Sequence, residues 1–278
     1  MEEQFEGRVR LVVASGVAEV TLARPEAHNG LDWAMIDGLL AAQRRLAELE
    51  DLRAVVLAGE GESFCAGLDM AAIMAEPARV PALLEAAADG ANPVQRLVLG
   101  WREAGVPVIA ALQGHVYGGG LQIALGADIR VVHPRARLAL LEIAWGIIPD
   151  MAISVTGAGL RGDVLRELGW TGRKVEGEEA LGLGLATRLG EAPLVVAREI
   201  AAAIAGHSPT AVAAWSELLE RAPGLNTRER LALEARLQGG LLGGAEQQEA
   251  MAARLAGRAA RFVSQGGGDA LFDRPASP

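Results

Sequence analysis

The chain has 278 residues, a formal net charge of −9, half its residues apolar and only 4% aromatic. That balance excludes a broad basic nucleic-acid footprint and a polybasic membrane surface, while a few local donors can still hold a small anionic ligand. A single cysteine, Cys65, excludes an intrachain disulfide and fits a reducing, cytoplasmic compartment; the charged opening MEEQFEGRVR has no apolar signal region, and no apolar run reaches the ~18–20 residues of a membrane span.

Residues 8–22 predict two short strands around the Ser15-Gly16 turn. Over residues 32–49, Met35, Ile36, Leu39, Leu40 and Leu46 recur at helical spacing and leave Arg44, Arg45 and Glu48 for the wet face. The run AVVLAG (54–59) reads as a buried strand. Between Met70 and Glu103 an Ala-rich stretch broken by Pro77, Pro81 and Pro93 predicts helices with a mobile link. The strand–turn–helix pattern then returns as VPVIAALQG (106–114), a glycine run, the helix-like GLQIALG, and ADIRVVH (127–133). This is α/β grammar with spacing too uneven for a solenoid. From about Pro193 onward only helices are expected, at 194–205, 209–221, 227–242 and 246–262, before the tail SQGGGDALFDRPASP. The expected organisation is an α/β core over residues 1–195, a helical region over 196–265 and a flexible tail over 266–278.

Three segments carry the chemistry. In YGGGLQ (117–122), glycines between a strand and a helix let the backbone turn sharply and approach a ligand. The exposed N–H groups of such a turn suit a phosphate or a developing oxyanion, and a plain tight turn reads equally well from spacing. The second segment, Glu60 to Met70, has the same grammar, with Asp69 placed to cap a helix. Two such turns on neighbouring strands can aim two N–H groups at one carbonyl oxygen. The third, Leu138 to Ile148, is almost wholly apolar but holds Glu142. A carboxylate in an apolar site has its pKa raised, which suits a general base near neutral pH; pointing to solvent or pairing with an arginine is the bland alternative. Asp150 follows eight positions later and reads by itself as a helix cap.

Other signals weigh less. Gly157 to Gly162 matches GxGxxG, but the residues before it read as helix, which argues against a dinucleotide site. Cys65 reads as a small buried residue rather than a nucleophile. His28, His115, His133 and His207 are scattered and show no metal spacing.

With these residues in place, the chain resembles the crotonase superfamily of enoyl-CoA hydratases and isomerases over roughly residues 6–262. The resemblance rests on Arg24-Pro-Glu-Ala-His-Asn29, Phe64-Cys-Ala-Gly-Leu-Asp69, Gly118-Gly-Gly120, Glu142-Ile with Gly146, Pro149 and Asp150, and the segment from Thr171 to Ala186, all in family order. It implies a spiral of ββα units, a helical C-terminal region that builds homotrimers, often paired into hexamers, and an acyl-CoA thioester substrate. Coenzyme A would enter as part of that substrate, with no prosthetic group and no metal. By position, the N–H groups of Leu68 and Gly119 would form the oxyanion hole. Ala27, His28, Ala66, Asp69 and Met70 would line the CoA site, and Phe262 would help close it. Hydratases of the family hold a water between two glutamates, whereas this chain has Gln122 at the first position, and an amide carries no proton as a carboxylate does. Glu142 and Asp150, eight apart, resemble the acid pair of dienoyl-CoA isomerases. Double-bond isomerisation is therefore the expected reaction, with a 2-enoyl-CoA hydratase and a catalytically silent acyl-CoA binder as alternatives.

Overall fold

The structure, a computed structural model, describes residues 1–262. The chain opens with β1 (Glu2–Phe5), β2 (Val9–Ala14) and β3 (Val17–Leu22), then α1 (Trp33–Ala47) and β4 (Ala54–Gly59). Next come the short helices α2 (Met70–Met74) and α3 (Pro93–Leu99), β5 (Val108–Leu112), β6 (His115–Tyr117) and α4 (Gly119–Leu125). They lead to β7 (Ile129–Val132), β8 (Arg137–Ala139), α5 (Ile153–Thr156), α6 (Gly162–Thr171), β9 (Val175–Glu176), α7 (Gly177–Gly182) and β10 (Arg188–Leu189). Four helices follow: α8 (Pro193–Ala205), α9 (Pro209–Arg221), α10 (Thr227–Leu241) and α11 (Ala245–Leu255).

Seven strands form one sheet in the order β1-β2-β3-β4-β5-β7-β10, antiparallel up to β3 and parallel from β3 onward. The other three, β6-β8-β9, form a small second sheet. The unbroken apolar runs of β4 and β5 follow from burial on both faces. Alternation splits them: Val55, Leu57, Val108, Ala110 and Leu112 face the main core under α1, while Ala54, Val56, Ala58, Ile109 and Ala111 face α8. Small residues on that second face meet Ala197 and Ala201 of α8, which lets the helix approach closely. Each large aliphatic side chain buried under α1, such as Met35, Ile36 or Leu39, contributes on the order of 2 kcal/mol.

The chain between Met70 and Glu103 forms α2, a 3-10 stretch at Pro77–Leu84, α3 and a second 3-10 turn, in keeping with its prolines. Five strands escape the sequence pattern. β1 is charged and finds its place by pairing with β2, and β6, β8, β9 and β10 are too short for alternation to register. The last helix, expected to run to 262, stops at Leu255 because Gly257 takes φ +62 and closes a Schellman turn, with Arg258 N–H donating to Ala253 O. The expected boundary at 265 and the tail lie outside the described residues. Helix α8 belongs to the core layer, whereas α9 and α10 share a separate small cluster around Ala214, Leu233 and Leu237. Among the described residues no helix is long and apolar enough to cross a membrane.

Candidate active site

The segment Arg24–Leu31 fixes the first turn. Arg24 donates to Gly30 O and pairs with Asp32, the N-cap of α1, and with Asp69. Asn29 is fully buried at φ +55; its amide donates to the carbonyls of Glu60 (2.9 Å) and Ser63 (2.8 Å), and its oxygen accepts from Arg24 N–H (2.8 Å). The Asn29 side chain therefore ties the end of β4 to this segment. Ala66 N–H donates to His28 O, Leu31 N–H to Gly67 O and Asp69 N–H to Leu31 O. In the resulting parallel bridge between Leu31 and Leu68, the Leu68 N–H points away from Leu31.

The second turn lies against the other flank. Cys65 N–H donates to His115 O and Tyr117 N–H to Cys65 O. Gly118 then takes φ 51 and ψ −122, a conformation in practice open only to glycine, and α4 begins at Gly119. The Gly119 N–H, first in its helix, has no intrahelical acceptor. A Cβ on Gly67, itself at φ +89, would lie 2.7 Å from Tyr117 O and 3.5 Å from Gly119 N, so the two turns are in backbone contact. The fold thus brings the turn that holds Gly67 and Leu68 against the start of α4 at Gly119. Met151 and Leu31 wall it off, since a Cβ on Gly119 would sit 3.0 Å from each.

Glu142, only 8% exposed, reaches this place from the segment after β8. Its carboxylate lies 3.4 Å from where a Gly118 Cβ would stand. Gln122 donates its amide N–H to Glu142 Oε1 at 2.6 Å, and its oxygen accepts from Met151 N–H at 2.9 Å. Glu142 Oε2 is buried and has no hydrogen-bond partner among the described residues. Burial raises the Glu142 pKa, hydrogen bonds from its own backbone N–H and from Gln122 oppose the rise, and the charge of Asp150 adds a further upward push. A buried carboxylate oxygen whose pKa burial raises, beside the helix-opening N–H of Gly119, is chemically suited to moving a proton.

Asp150 is exposed, and the expected capping role does not arise: Ala152, at φ 57, is the N-cap of α5. Asp69 does cap its helix, accepting from Ala72 N–H at 3.1 Å, and its other oxygen pairs with Arg24 at 2.9 Å, so its carboxylate is taken up inside the chain. Backbone donation and the Arg24 guanidinium hold its pKa below the ordinary value. Ala27, His28, Ala66 and Met70 are half-buried along the two zipped segments. Phe262, the last described residue, is half-buried beyond α11, and no described hydrogen bond or ring contact of the site involves it. Burial pushes the Cys65 thiol up to about 12. Gly157 ends α5 and no strand precedes it, so the GxGxxG match lacks its strand–turn–helix setting.

The histidines are less scattered than their numbers suggest. His28 and His115 meet edge to face at 4.9 Å, His115 stacks on Tyr117 at 4.8 Å, and Lys174 lies 5.1 Å over the Tyr117 ring. Tyr117 and Lys174 are the only tyrosine and the only lysine of the chain, a compositional signal that sequence reasoning passed over. Burial, then the nearby His28, Lys174 and Arg137, lower the His115 pKa. Among the described residues no group of three or more His, Cys, Asp or Glu side chains gathers to hold a metal.

Residues 13–265 match the family model described as enoyl-CoA hydratase/isomerase. The chain belongs to the enoyl-CoA hydratase/isomerase family. It is therefore an acyl-CoA enzyme with the crotonase fold. It is 32% identical to the carnitinyl-CoA dehydratase of Proteus mirabilis over 80% of this chain and 83% of that one. It is also 32% identical to the short-chain-enoyl-CoA hydratase of Clostridium acetobutylicum, over 85% and 90%. Among solved structures, an enoyl-CoA hydratase from Polaromonas aligns with a TM-score of 0.81 at 25% identity, over 92% of this chain and 99% of that one.

Proposed function

We propose that this family member shifts a carbon–carbon double bond in an enoyl- or dienoyl-CoA thioester. Glu142 Oε2 removes a proton from the carbon chain, the thioester oxygen takes up the negative charge against the N–H groups of Leu68 and Gly119, and Asp150, having taken a proton from solvent, delivers it at another carbon. One proton leaves and one arrives, so the product is an isomer; solvent resets the two carboxyl groups. The observation that carries this reading is the 2.6 Å contact between Gln122 and Glu142. No water fits between two atoms that close, and the remaining oxygen of Glu142 has no partner among the described residues. Asp150 is exposed and near enough for its charge to act on Glu142, which supports it as the second group.

Turnover of 3-enoyl-CoA and 3,5-dienoyl-CoA substrates, measured beside hydration of crotonyl-CoA, tests the proposal. Asp150→Asn is expected to lower isomerisation by about 10²–10⁴ while leaving KM nearly unchanged; undiminished turnover would remove Asp150 from the mechanism. The hydratases and dehydratase among the relatives favour a second reading, hydration of a 2-enoyl-CoA on Glu142 alone. Crotonyl-CoA hydration at ordinary enzyme rates, with no isomerisation, would establish it.

We also infer that the chain assembles with copies of itself as a trimer or hexamer. Trp145, Ile148, Trp170 and Trp215 are 63, 71, 72 and 61% exposed, a large apolar load for a lone subunit. Light scattering on the eluting protein is expected to give the mass of three or six chains, and a single-chain mass would refute the assembly.

A further inference from the structure

The geometry points to Gln122 as a positioning residue that ties the Glu142 carboxylate to the turn carrying Asp150, and that neither carries a proton nor holds a water. This rests on Glu142 being the group that moves the proton. The orientation of the amide is forced by its partners. Met151 N–H is only a donor, so the Gln122 oxygen faces it at 2.9 Å and the NH2 group faces Glu142 at 2.6 Å. With the side chain 1% exposed, both ends of the amide are committed to protein atoms.

Three consequences follow from that bridge. First, Oε1 of Glu142 accepts a donor it cannot exchange, so a proton taken up by Glu142 goes to Oε2, the oxygen without a partner. Second, Met151 is the residue after Asp150, and Ala152 N–H donates to Asp150 O with Ala152 in the left-handed region. The Gln122 oxygen therefore pins the short turn that sets where the Asp150 side chain leaves the backbone. Third, Met151 also covers Gly119, so the same amide holds the wall behind the oxyanion turn. Asp150 is the one other charge that bears on Glu142 among the described residues, and Gln122 is its one side-chain donor.

Two variants separate this role from packing. Gln122→Met keeps the length and removes both hydrogen bonds; Gln122→Glu keeps the acceptor for Met151 and replaces the donor to Glu142 by an oxygen. The glutamate carboxyl carbon of Glu142, labelled with 13C and assigned by its loss in Glu142→Gln, is followed by NMR across pH without any substrate. In both variants its titration is expected to move to higher pH, because a donor to the charged form is lost or a second carboxylate is added. The acid limb of kcat/KM is expected to move the same way, and kcat for Gln122→Met to fall about 10- to 100-fold with KM little changed. An unmoved titration in the two variants, even with a lowered urea midpoint, would reduce Gln122 to packing and overturn the inference. The NMR readout is independent of turnover: a shifted titration in a protein that isomerises nothing would uphold the bridge and sink the proposed reaction.

Discussion

Glu142→Gln is expected to cut kcat/KM on the isomerised enoyl-CoA by about 10²–10⁴, the usual contribution of a positioned general base. The substitution keeps the side-chain volume and an acceptor for Gln122 but abolishes the proton-accepting Oε2. It is also expected to stabilise the fold at neutral pH. The Glu142 pKa is raised by burial, so the folded state binds the proton more readily than the unfolded one. The stability this confers is present below the unfolded pKa and is lost as pH rises through the folded one, beyond which an ionised buried carboxylate opposes folding. Urea midpoints of wild type and variant should thus diverge at neutral pH and converge at about pH 4, near the ordinary glutamate value. For the same reason the acid limb of wild-type kcat/KM should lie above the ordinary carboxylate range. Retained activity in Glu142→Gln would remove Glu142 as the base, whatever the stability shows.

Gly67→Ala should be nearly as damaging, by a different route. Gly67 sits at φ +89, and an added Cβ would stand 2.7 Å from Tyr117 O, a backbone atom that has no rotamer to escape into. One of the two turns must move, and with it either Leu68 N–H or Gly119 N–H. In the proposed reaction, displacing one such donor is expected to cost about 10²–10³ in kcat. Gly243→Ala is the control, since Gly243 has φ +78 but nothing within 4 Å of its Cβ position. Both variants bear the strain of a left-handed alanine, on the order of 1 kcal/mol; only Gly67→Ala should lose kcat. Equal activity in the two would mean that the turns do not hold the thioester oxygen.

The parts of this site that were legible in the sequence are those that local chemistry dictates. The apolar runs of β4 and β5, the glycine turns that follow them, the Asp69 cap and the carboxylate inside an apolar stretch all declare themselves within ten residues. Their order along the chain was enough to indicate the family. What stayed hidden depends on pairings between distant segments. Cys65 meets Val116 and Leu31 meets Leu68 through single bridges, too short to leave any periodicity. Asn29 reads as a turn residue, yet its side chain fastens a loop to the end of β4.

Gln122 and Glu142 show the division most clearly. Residue order alone shows a neutral amide standing where an acid would have been expected, and one carboxylate in an apolar run. Folding adds that these side chains, 20 positions apart, touch at 2.6 Å, that the amide faces Glu142 with its nitrogen, and that Asp150 is exposed while Glu142 is buried. The physical reason is that residue type sets what a group can donate, accept or ionise, whereas its partner and its desolvation are set by the register of strands and turns that no local pattern encodes.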